Sequence, residues 1–344
     1  MSFGRWMAEI HSFISYSESS MSERRPNFFI VGPARTGTTS LWHSLRRHPD
    51  VFMPKEKEPH FFSENRPQWG LSSYDSYLEL FKGAGRARAV GEASPGYLQD
   101  AAVPERIRER YPDARIIILL RHPVDRAHSL YRLNCSIGVE SMPSFERALA
   151  VEERRASDEL LKRKDPYFAS ACQYRGSGFV ADDIERYQRQ FSPSQIHYVL
   201  FEDLRRDAPG VLKDLFHFLG VDGGVRVDLE AQNESGFPYS VRLQHFFRTL
   251  WQRHVGGELG PPTSRGQKWI VAGWYTNLLF GGLFGPKTID PSLKRRLSEE
   301  YRDDIQRTMS LTGKDLSGWL PTDDLAYSVT RASPACAHSS ATVR

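Results

Sequence analysis

The sequence predicts an α/β fold, a three-layer arrangement in which a central parallel sheet is flanked by helices. Residues 116–120 read Ile-Ile-Ile-Leu-Leu, and an unbroken aliphatic run of this kind is typical of a strand buried on both faces, as in parallel sheets. Candidate strands alternate with candidate helices along the chain, which indicates parallel strands joined by helical connections. The hydrophobic content of 40% is enough to form a large core and excludes a wholly disordered protein.

The predicted elements follow one another in a regular order. The first strand is the apolar run over residues 27–31, which ends at Gly32 and leads through a turn rich in glycine and threonine into a helix that reaches about Arg47. The later elements are a strand over 87–91, a helix over 103–111, a strand over 114–120, a helix over 181–191 and a strand over 195–201. Because parallel strands end at a common edge, we expect a ligand beyond their carboxyl ends.

Residues 27–320 contain neither an internal repeat nor a low-complexity linker, so we interpret them as one domain. Residues 1–26 are then an N-terminal extension, and residues 321–344, rich in alanine and serine, are a C-terminal tail. The chain of 344 residues has 46 Lys+Arg against 42 Asp+Glu, a net charge of +4. This balance suits an anionic small ligand and is far from that of a basic arm that binds nucleic acid, so no nucleic-acid partner is expected.

The cysteine and apolar patterns bear on the cellular setting. Cys135, Cys172 and Cys336 have the spacing of neither a disulfide framework nor a metal site, and the N-terminus lacks a secretory signal pattern. We therefore expect reduced thiols and a cytoplasmic protein. The longest apolar run, residues 269–284, is interrupted by glycines and falls short of the ~20 residues of a membrane-spanning helix. We predict no transmembrane segment and interpret the run as buried; the alternative is peripheral contact with a membrane or an apolar substrate.

Residues 28–40, Phe-Phe-Ile-Val-Gly-Pro-Ala-Arg-Thr-Gly-Thr-Thr-Ser, carry the features of a phosphate-binding loop. A strand that leads through a glycine turn into a helix points several backbone N–H groups at one place, and the helix dipole adds positive potential there. Gly32 and Gly37 permit the tight turn. The residues that we expect to hold the phosphate are Arg35, Thr36, Gly37, Thr38, Thr39 and Ser40.

The loop departs from the nucleoside-triphosphate loop G-x-x-x-x-G-K-[ST] at the position of its lysine. The glycine spacing matches, but Thr38 stands where that loop has the lysine that binds the β- and γ-phosphates. The strand over 114–120 is followed by Arg121 rather than by a metal-binding aspartate. Magnesium-dependent triphosphate chemistry is therefore disfavoured, and no metal site is predicted. A kinase of small molecules is kept as an alternative function.

A second basic motif lies directly after the strand over 114–120. Arg121 leaves the sheet at the edge where the first loop lies, and Ser129 stands eight residues later, two turns along the next helix. An arginine fork together with a hydroxyl is a good receptor for a phosphate monoester. The two motifs together predict a ligand that is phosphorylated at two separate places.

In these two motifs the chain resembles the sulfotransferase family that uses 3′-phosphoadenosine 5′-phosphosulfate. Residues 27–48 resemble the loop that binds the 5′-phosphosulfate, and residues 121–129 resemble the motif that binds the 3′-phosphate. Residues 54–62, PKEKEPHFF, are similar to a segment of the heparan sulfate 3-O-sulfotransferase branch. Residues 233–242 are similar to a segment of that branch whose tyrosine, here Tyr239, contacts the nucleotide.

The resemblance implies a P-loop-type enzyme that transfers a sulfonate group from 3′-phosphoadenosine 5′-phosphosulfate to a hydroxyl or amino group of an acceptor. The transfer would be in line and would require no metal, and the acceptor would be a carbohydrate or a lipid-linked molecule. Arg35 would neutralise the charge that grows on the leaving 5′-phosphate, while Arg121 and Ser129 would hold the 3′-phosphate.

An alcohol acceptor must lose its proton during the attack, which requires a general base within hydrogen-bond reach. Glu58 is the predicted base, and Lys55 and Lys57 beside it would keep it ionised. His60 is the rival base, or a group that orients the acceptor. The two phenylalanines that follow, Phe61 and Phe62, are expected in the core.

The chain also departs from the family in three places. Arg35 stands where members often have lysine, and Ala93 stands where many have another lysine. The family's basic loop that covers the nucleotide near the C-terminus is not matched, and Lys287 is only a weak candidate for it. These departures bear on the acceptor more than on the donor. A nucleotide-binding relative without catalysis is the third hypothesis, after the sulfotransferase and the kinase.

Overall fold

A parallel sheet lies at the centre of the chain. The computed structural model describes residues 24–63, 71, 73–159, 171–227, 237–255, 271 and 288–321. The strands are β1 (Phe28–Val31), β2 (Val51–Phe52), β3 (Ala89–Ala93), β4 (Arg115–Leu120) and β5 (Ile196–Leu200). Their order is β2-β3-β1-β4-β5, and each neighbouring pair is parallel. The predicted α/β fold with a central parallel sheet is confirmed.

Helices connect the strands and cover the sheet. Those in the described ranges are α1 (Thr38–Leu45), α2 (Tyr74–Glu79), α3 (Val103–Arg110), α4 (Pro123–Ser136), α5 (Phe145–Ala150), α6 (Glu152–Ser157), α7 (Ala181–Gln190), α8 (Phe201–Arg206), α9 (Ala208–Leu219), α10 (Val241–Val255), α11 (Pro291–Glu300) and α12 (Arg302–Thr312). The helices predicted after Gly37, over 103–111 and over 181–191 are confirmed as α1, α3 and α7. The strand predicted over 87–91 begins two residues later, at Ala89.

Strand β4 is buried on both faces, as its unbroken aliphatic run predicts. Ile116 and Ile118 pack into one hydrophobic cluster with residues of α3, α4 and α7. Ile117 and Leu119 point the other way and pack into a second cluster with residues of α1 and α9. All four side chains are fully buried. Successive residues of a strand point to opposite faces, so β4 packs against the helices on both sides of the sheet.

Several sequence predictions concern residues outside the described ranges. These are residues 1–23, residues 322–344, Lys287, Cys336 and the apolar run over 269–284 apart from residue 271. Cys135 and Cys172 are buried, and neither forms a disulfide within the described ranges. Within the described ranges, no helix combines the length and the apolar content that crossing a membrane requires.

The close packing of β1 against β3 can be tested by mutation. Gly91 pairs with Phe28 across the two strands, and a methyl group at residue 91 would lie 2.5 Å from carbons of the buried Phe28 ring. We expect Gly91→Ala to lower the free energy of unfolding by about 1–3 kcal/mol through overpacking, measured as a lower urea midpoint with an unchanged slope. Gly318→Ala is the control, because its methyl would meet nothing within 4 Å. A wild-type midpoint for Gly91→Ala would contradict this packing.

Candidate active site

The two basic motifs meet at one edge of the sheet. Strands β1 and β4 are neighbours, with Val31 opposite Ile118, so the loop after β1 and Arg121 after β4 leave the sheet side by side. The Arg121 Nη1 donates a hydrogen bond to the backbone oxygen of Arg35 at 2.9 Å. The Arg35 Nε in turn donates to the Ser129 Oγ at 3.0 Å. The structure thus brings together three residues that the sequence separates by up to 94 positions.

The turn between β1 and α1 requires glycine at both of its ends. A Cβ at Gly32 would lie 2.5 Å from the backbone oxygen of Leu119. Gly37 has a φ of +94°, and a Cβ there would lie 2.8 Å from the Phe201 ring. The buried Thr36 hydroxyl donates to the backbone oxygen of Pro33 at 2.9 Å. Thr36 therefore stabilises the turn through its side chain, and its backbone N–H is the group expected to bind phosphate.

The N-terminus of α1 is built to receive an anion. Its N-cap is Gly37, which has no side chain to cap the helix, and the first turn contains no acidic residue. The first N–H groups of a helix have no partner within the helix, and here they belong to Thr38, Thr39 and Ser40. These N–H groups and the helix dipole favour a negative charge at this place.

Neighbouring cations act on Arg35. Burial, the Arg121 guanidinium and the Arg132 guanidinium lower the pKa of Arg35 from 12.5 to about 10. Burial also lowers the pKa of Arg121, against the opposing effect of Asp125 and Glu202. Arg35 stays charged at neutral pH, so positive charge is concentrated at a partly buried place. A bound anion would relieve this repulsion, and a ligand with two separate phosphate groups would supply the negative charge.

Two residues that contact or neighbour Arg35 and Arg121 were not predicted from the sequence. Arg132 stands three residues after Ser129 on α4, a spacing that puts two side chains on the same helix face. Phe201 lies at the start of α8, and the Arg121 guanidinium stacks over its ring at 4.3 Å from the centroid. The signal for Phe201 was its place as the last residue of the strand predicted over 195–201. The observed β5 ends one residue earlier, at Leu200, at the same edge as β4.

The loop that carries Glu58 and His60 is attached beside the phosphate loop. The Glu58 N–H donates to the Ala93 backbone oxygen at 3.1 Å, and the Ser94 N–H donates to the Ile30 backbone oxygen at 3.1 Å. Strand β3 lies between β2 and β1, so its carboxyl end connects the loop to β1. Glu58 is consequently held next to the strand that leads into the phosphate loop.

The backbone is strained at all three candidate catalytic residues. Within the described ranges, positive φ angles outside glycine occur at Arg35 (76°), Glu58 (64°) and His60 (50°). A non-glycine residue in this region costs about 1–3 kcal/mol and persists only where its surroundings hold it, which is common at functional sites. The sequence gives no signal of this strain.

Glu58 and His60 differ in their access to a substrate. The Glu58 side chain is 41% exposed, whereas the His60 side chain is 1% exposed and therefore fully buried. The Glu58 carboxylate forms an ion pair with Lys57, and its Oε2 lies 3.6 Å from the His60 Nε2. Burial by itself raises the pKa of Glu58, but His60 and Lys57 outweigh it and lower the pKa from 4.5 to about 2. Glu58 is therefore ionised at any working pH.

The remaining predicted residues lie apart from these contacts. Tyr239 is 74% exposed just before α10, and its contact with a nucleotide stays a prediction. Phe62 is buried in the large hydrophobic cluster, with Phe61 packed against it, as expected for core residues. Ala93 is also buried.

The chain matches the family model of the sulfotransferase domain over residues 25–234. It is 29% identical to human heparan sulfate glucosamine 3-O-sulfotransferase 6 over 297 residues, 86% of this chain and 74% of that protein. It is 31% identical to human heparan sulfate glucosamine 3-O-sulfotransferase 3B1 over 310 residues, 89% of this chain and 67% of that protein. It spans only 23% of human bifunctional heparan sulfate N-deacetylase/N-sulfotransferase 3, at 29% identity.

A solved structure is also similar. The sulfotransferase from Alicyclobacillus acidocaldarius superposes with a TM-score of 0.64 at 30% identity, covering 86% of this chain and 99% of that one. The match to the family model extends over more than half of the chain and includes the phosphate loop, the second basic motif and the loop of Glu58. The chain therefore belongs to the sulfotransferase domain family of enzymes.

Proposed function

We propose that this sulfotransferase moves a sulfonate group from 3′-phosphoadenosine 5′-phosphosulfate to a hydroxyl or amino group of a carbohydrate or lipid-linked acceptor. The observation that carries the proposal is the chain of contacts from Arg121 to Arg35 and from Arg35 to Ser129. It joins two phosphate-binding motifs at one sheet edge. A ligand with two separate phosphates, one of them in an activated anhydride with sulfate, matches that arrangement.

Each end of the donor has its own set of residues. Arg121 and Ser129 would bind the 3′-phosphate, since a guanidinium and a hydroxyl together suit a phosphate monoester. Arg35 and the N–H groups at the start of α1 would bind the 5′ end. Arg35 is thereby placed to neutralise the charge that develops on the 5′-phosphate as it leaves, and such preorganised charge is often the largest contribution to catalysis. The donor supplies the sulfonate group with the bisphosphate as its leaving group.

Glu58 would be the general base. As the acceptor oxygen forms its bond to sulfur, the bond between sulfur and the 5′-phosphate oxygen breaks, and the electron pair goes to that oxygen beside Arg35. The acceptor proton passes to the Glu58 carboxylate. A pKa of about 2 makes Glu58 a weak base towards a free alcohol. The attacking oxygen becomes strongly acidic as its new bond forms, so even a weak base accepts the proton late in the transfer. His60, being buried, would orient Glu58.

The acceptor class rests on the relatives. Two of them are named for sulfation of heparan sulfate glucosamine, which favours a carbohydrate hydroxyl. The test is a screen of glycans, lipids and phenols with labelled phosphosulfate donor, read by mass spectrometry. We expect sulfated carbohydrate that depends on the donor. Phosphate transfer from ATP with magnesium would favour a kinase, and tight nucleotide binding without transfer to any acceptor would favour a non-catalytic relative.

The base is tested with the hydroxyl acceptor from that screen. We expect Glu58→Gln to lower kcat by about 10²-fold or more, the scale of losing a general base, with unchanged affinity for adenosine 3′,5′-bisphosphate. Glu56→Gln is the matched control, because Glu56 is exposed on the same loop, and its kcat should stay at the wild-type value. Full activity of Glu58→Gln would exclude Glu58 as the base.

A further inference from the structure

A buried carboxylate lies behind the loop of Glu58. Glu92, at the end of β3, is 1% exposed and accepts hydrogen bonds from three hydroxyl groups. The Tyr77 hydroxyl donates to its Oε1 at 2.8 Å, and the Tyr97 hydroxyl donates to the same oxygen at 3.1 Å. The Ser94 hydroxyl donates to its Oε2 at 2.7 Å. A buried carboxylate that is surrounded by hydroxyl donors fixes the direction of each O–H bond.

Two of these hydroxyl groups hold the loop. The Ser94 Oγ accepts a hydrogen bond from the His60 N–H at 3.3 Å, and the Tyr97 hydroxyl oxygen accepts one from the Phe62 N–H at 3.1 Å. Because each hydroxyl has a single proton and gives it to Glu92, its oxygen is left to accept from the loop. With the Glu58 N–H bound to the Ala93 oxygen, alternate N–H groups of the loop are tied to β3 and to the residues that follow it.

We propose that Glu92 is a positioning residue for sulfonate transfer: through Ser94 and Tyr97 it holds the loop in the strained conformation that presents Glu58 to the acceptor. The inference rests on the proposed function, in which Glu58 is the base. The positive φ angles of Glu58 and His60 need such support, because strained backbone relaxes unless its surroundings hold it.

The arrangement requires the ionised form of Glu92. A protonated carboxyl group would have to donate its own proton, and could no longer accept from all three hydroxyls. Burial raises the pKa of Glu92 from 4.5 to about 7, against the lowering effect of the bonds from Ser94, Tyr77 and Tyr97. The other titratable groups that face it are Tyr187 and, against Tyr97, the His60 ring.

The pH dependence follows from the sign of this shift. As pH falls through about 7, Glu92 takes up a proton in the folded protein, and the loop loses part of its support. The kcat of the wild-type enzyme should therefore fall on the acid side of about pH 7. Glu58 cannot cause that fall, because its pKa of about 2 keeps it ionised there. A fall that persists in Glu92→Gln would come from a group other than Glu92.

The experiment compares Glu92→Gln with a pair of tyrosine variants in the full chain. We expect Glu92→Gln to lower kcat by about 10²-fold, the scale of a small misplacement of a catalytic group, and to lose the acid-side fall near pH 7. Tyr97→Phe should lower kcat in the same direction. Tyr77→Phe is its matched control, because Tyr77 is equally buried and bonds the same Glu92 oxygen but holds no loop N–H. If Glu92→Gln does not fold, Ser94→Ala is the substitute variant, because it removes the hydrogen bond that the Ser94 hydroxyl accepts from the His60 N–H.

A second readout does not depend on activity. Hydrogen exchange should become faster at the His60 and Phe62 amides of Glu92→Gln, while the amides of β4 and the affinity for adenosine 3′,5′-bisphosphate stay unchanged. If Glu92→Gln keeps the wild-type kcat and the wild-type exchange rates, the inference about Glu92 is wrong while the proposed function stands. The same holds if Tyr77→Phe loses as much kcat as Tyr97→Phe. A wild-type protein that transfers no sulfonate would overturn the proposed function, and this inference with it.

Discussion

The hydrogen bond from the Arg35 Nε to the Ser129 Oγ is the contact on which the account of this site depends. It crosses from the loop after β1 to the helix after β4, and Arg121 reinforces it by binding the Arg35 backbone oxygen. Without this crossing, the two basic motifs would be separate anion sites. With it, they form one continuous cluster, which suits the two separate phosphate positions of the proposed donor.

Backbone strain is common to the phosphate loop and to the loop that carries Glu58. Arg35 on one loop and Glu58 and His60 on the other adopt positive φ angles, and both loops are fastened to the carboxyl ends of neighbouring strands. The sheet thus serves as the common base from which both strained loops extend. The strain costs stability and fixes the positions of Arg35 and Glu58, as is usual where catalysis demands a fixed geometry. In the proposed mechanism Arg35 faces the leaving group and Glu58 receives the proton.

Much of the fold was predictable because its signals are local. The aliphatic run of β4 and the glycine turn before α1 each identify their element, and parallel topology then brings Arg121 to the edge where Arg35 lies. Glu92 was not predicted as a site residue. Ser94 and Tyr97 lie two and five residues after it, but Tyr77 belongs to α2, and only the folded chain turns all three hydroxyls onto one carboxylate. The roles of the individual site residues stay predictions, since spacing fixes where a side chain lies and not what it binds.

Calorimetric titration with adenosine 3′,5′-bisphosphate and with adenosine 5′-monophosphate tests the central claim most directly. The two ligands share the adenosine and the 5′-phosphate and differ in the 3′-phosphate. If Arg121 and Ser129 bind that group, the bisphosphate should bind about 10- to 100-fold more tightly, the value of one or two charge-assisted hydrogen bonds. Equal affinities would contradict the claim that the two motifs form one site.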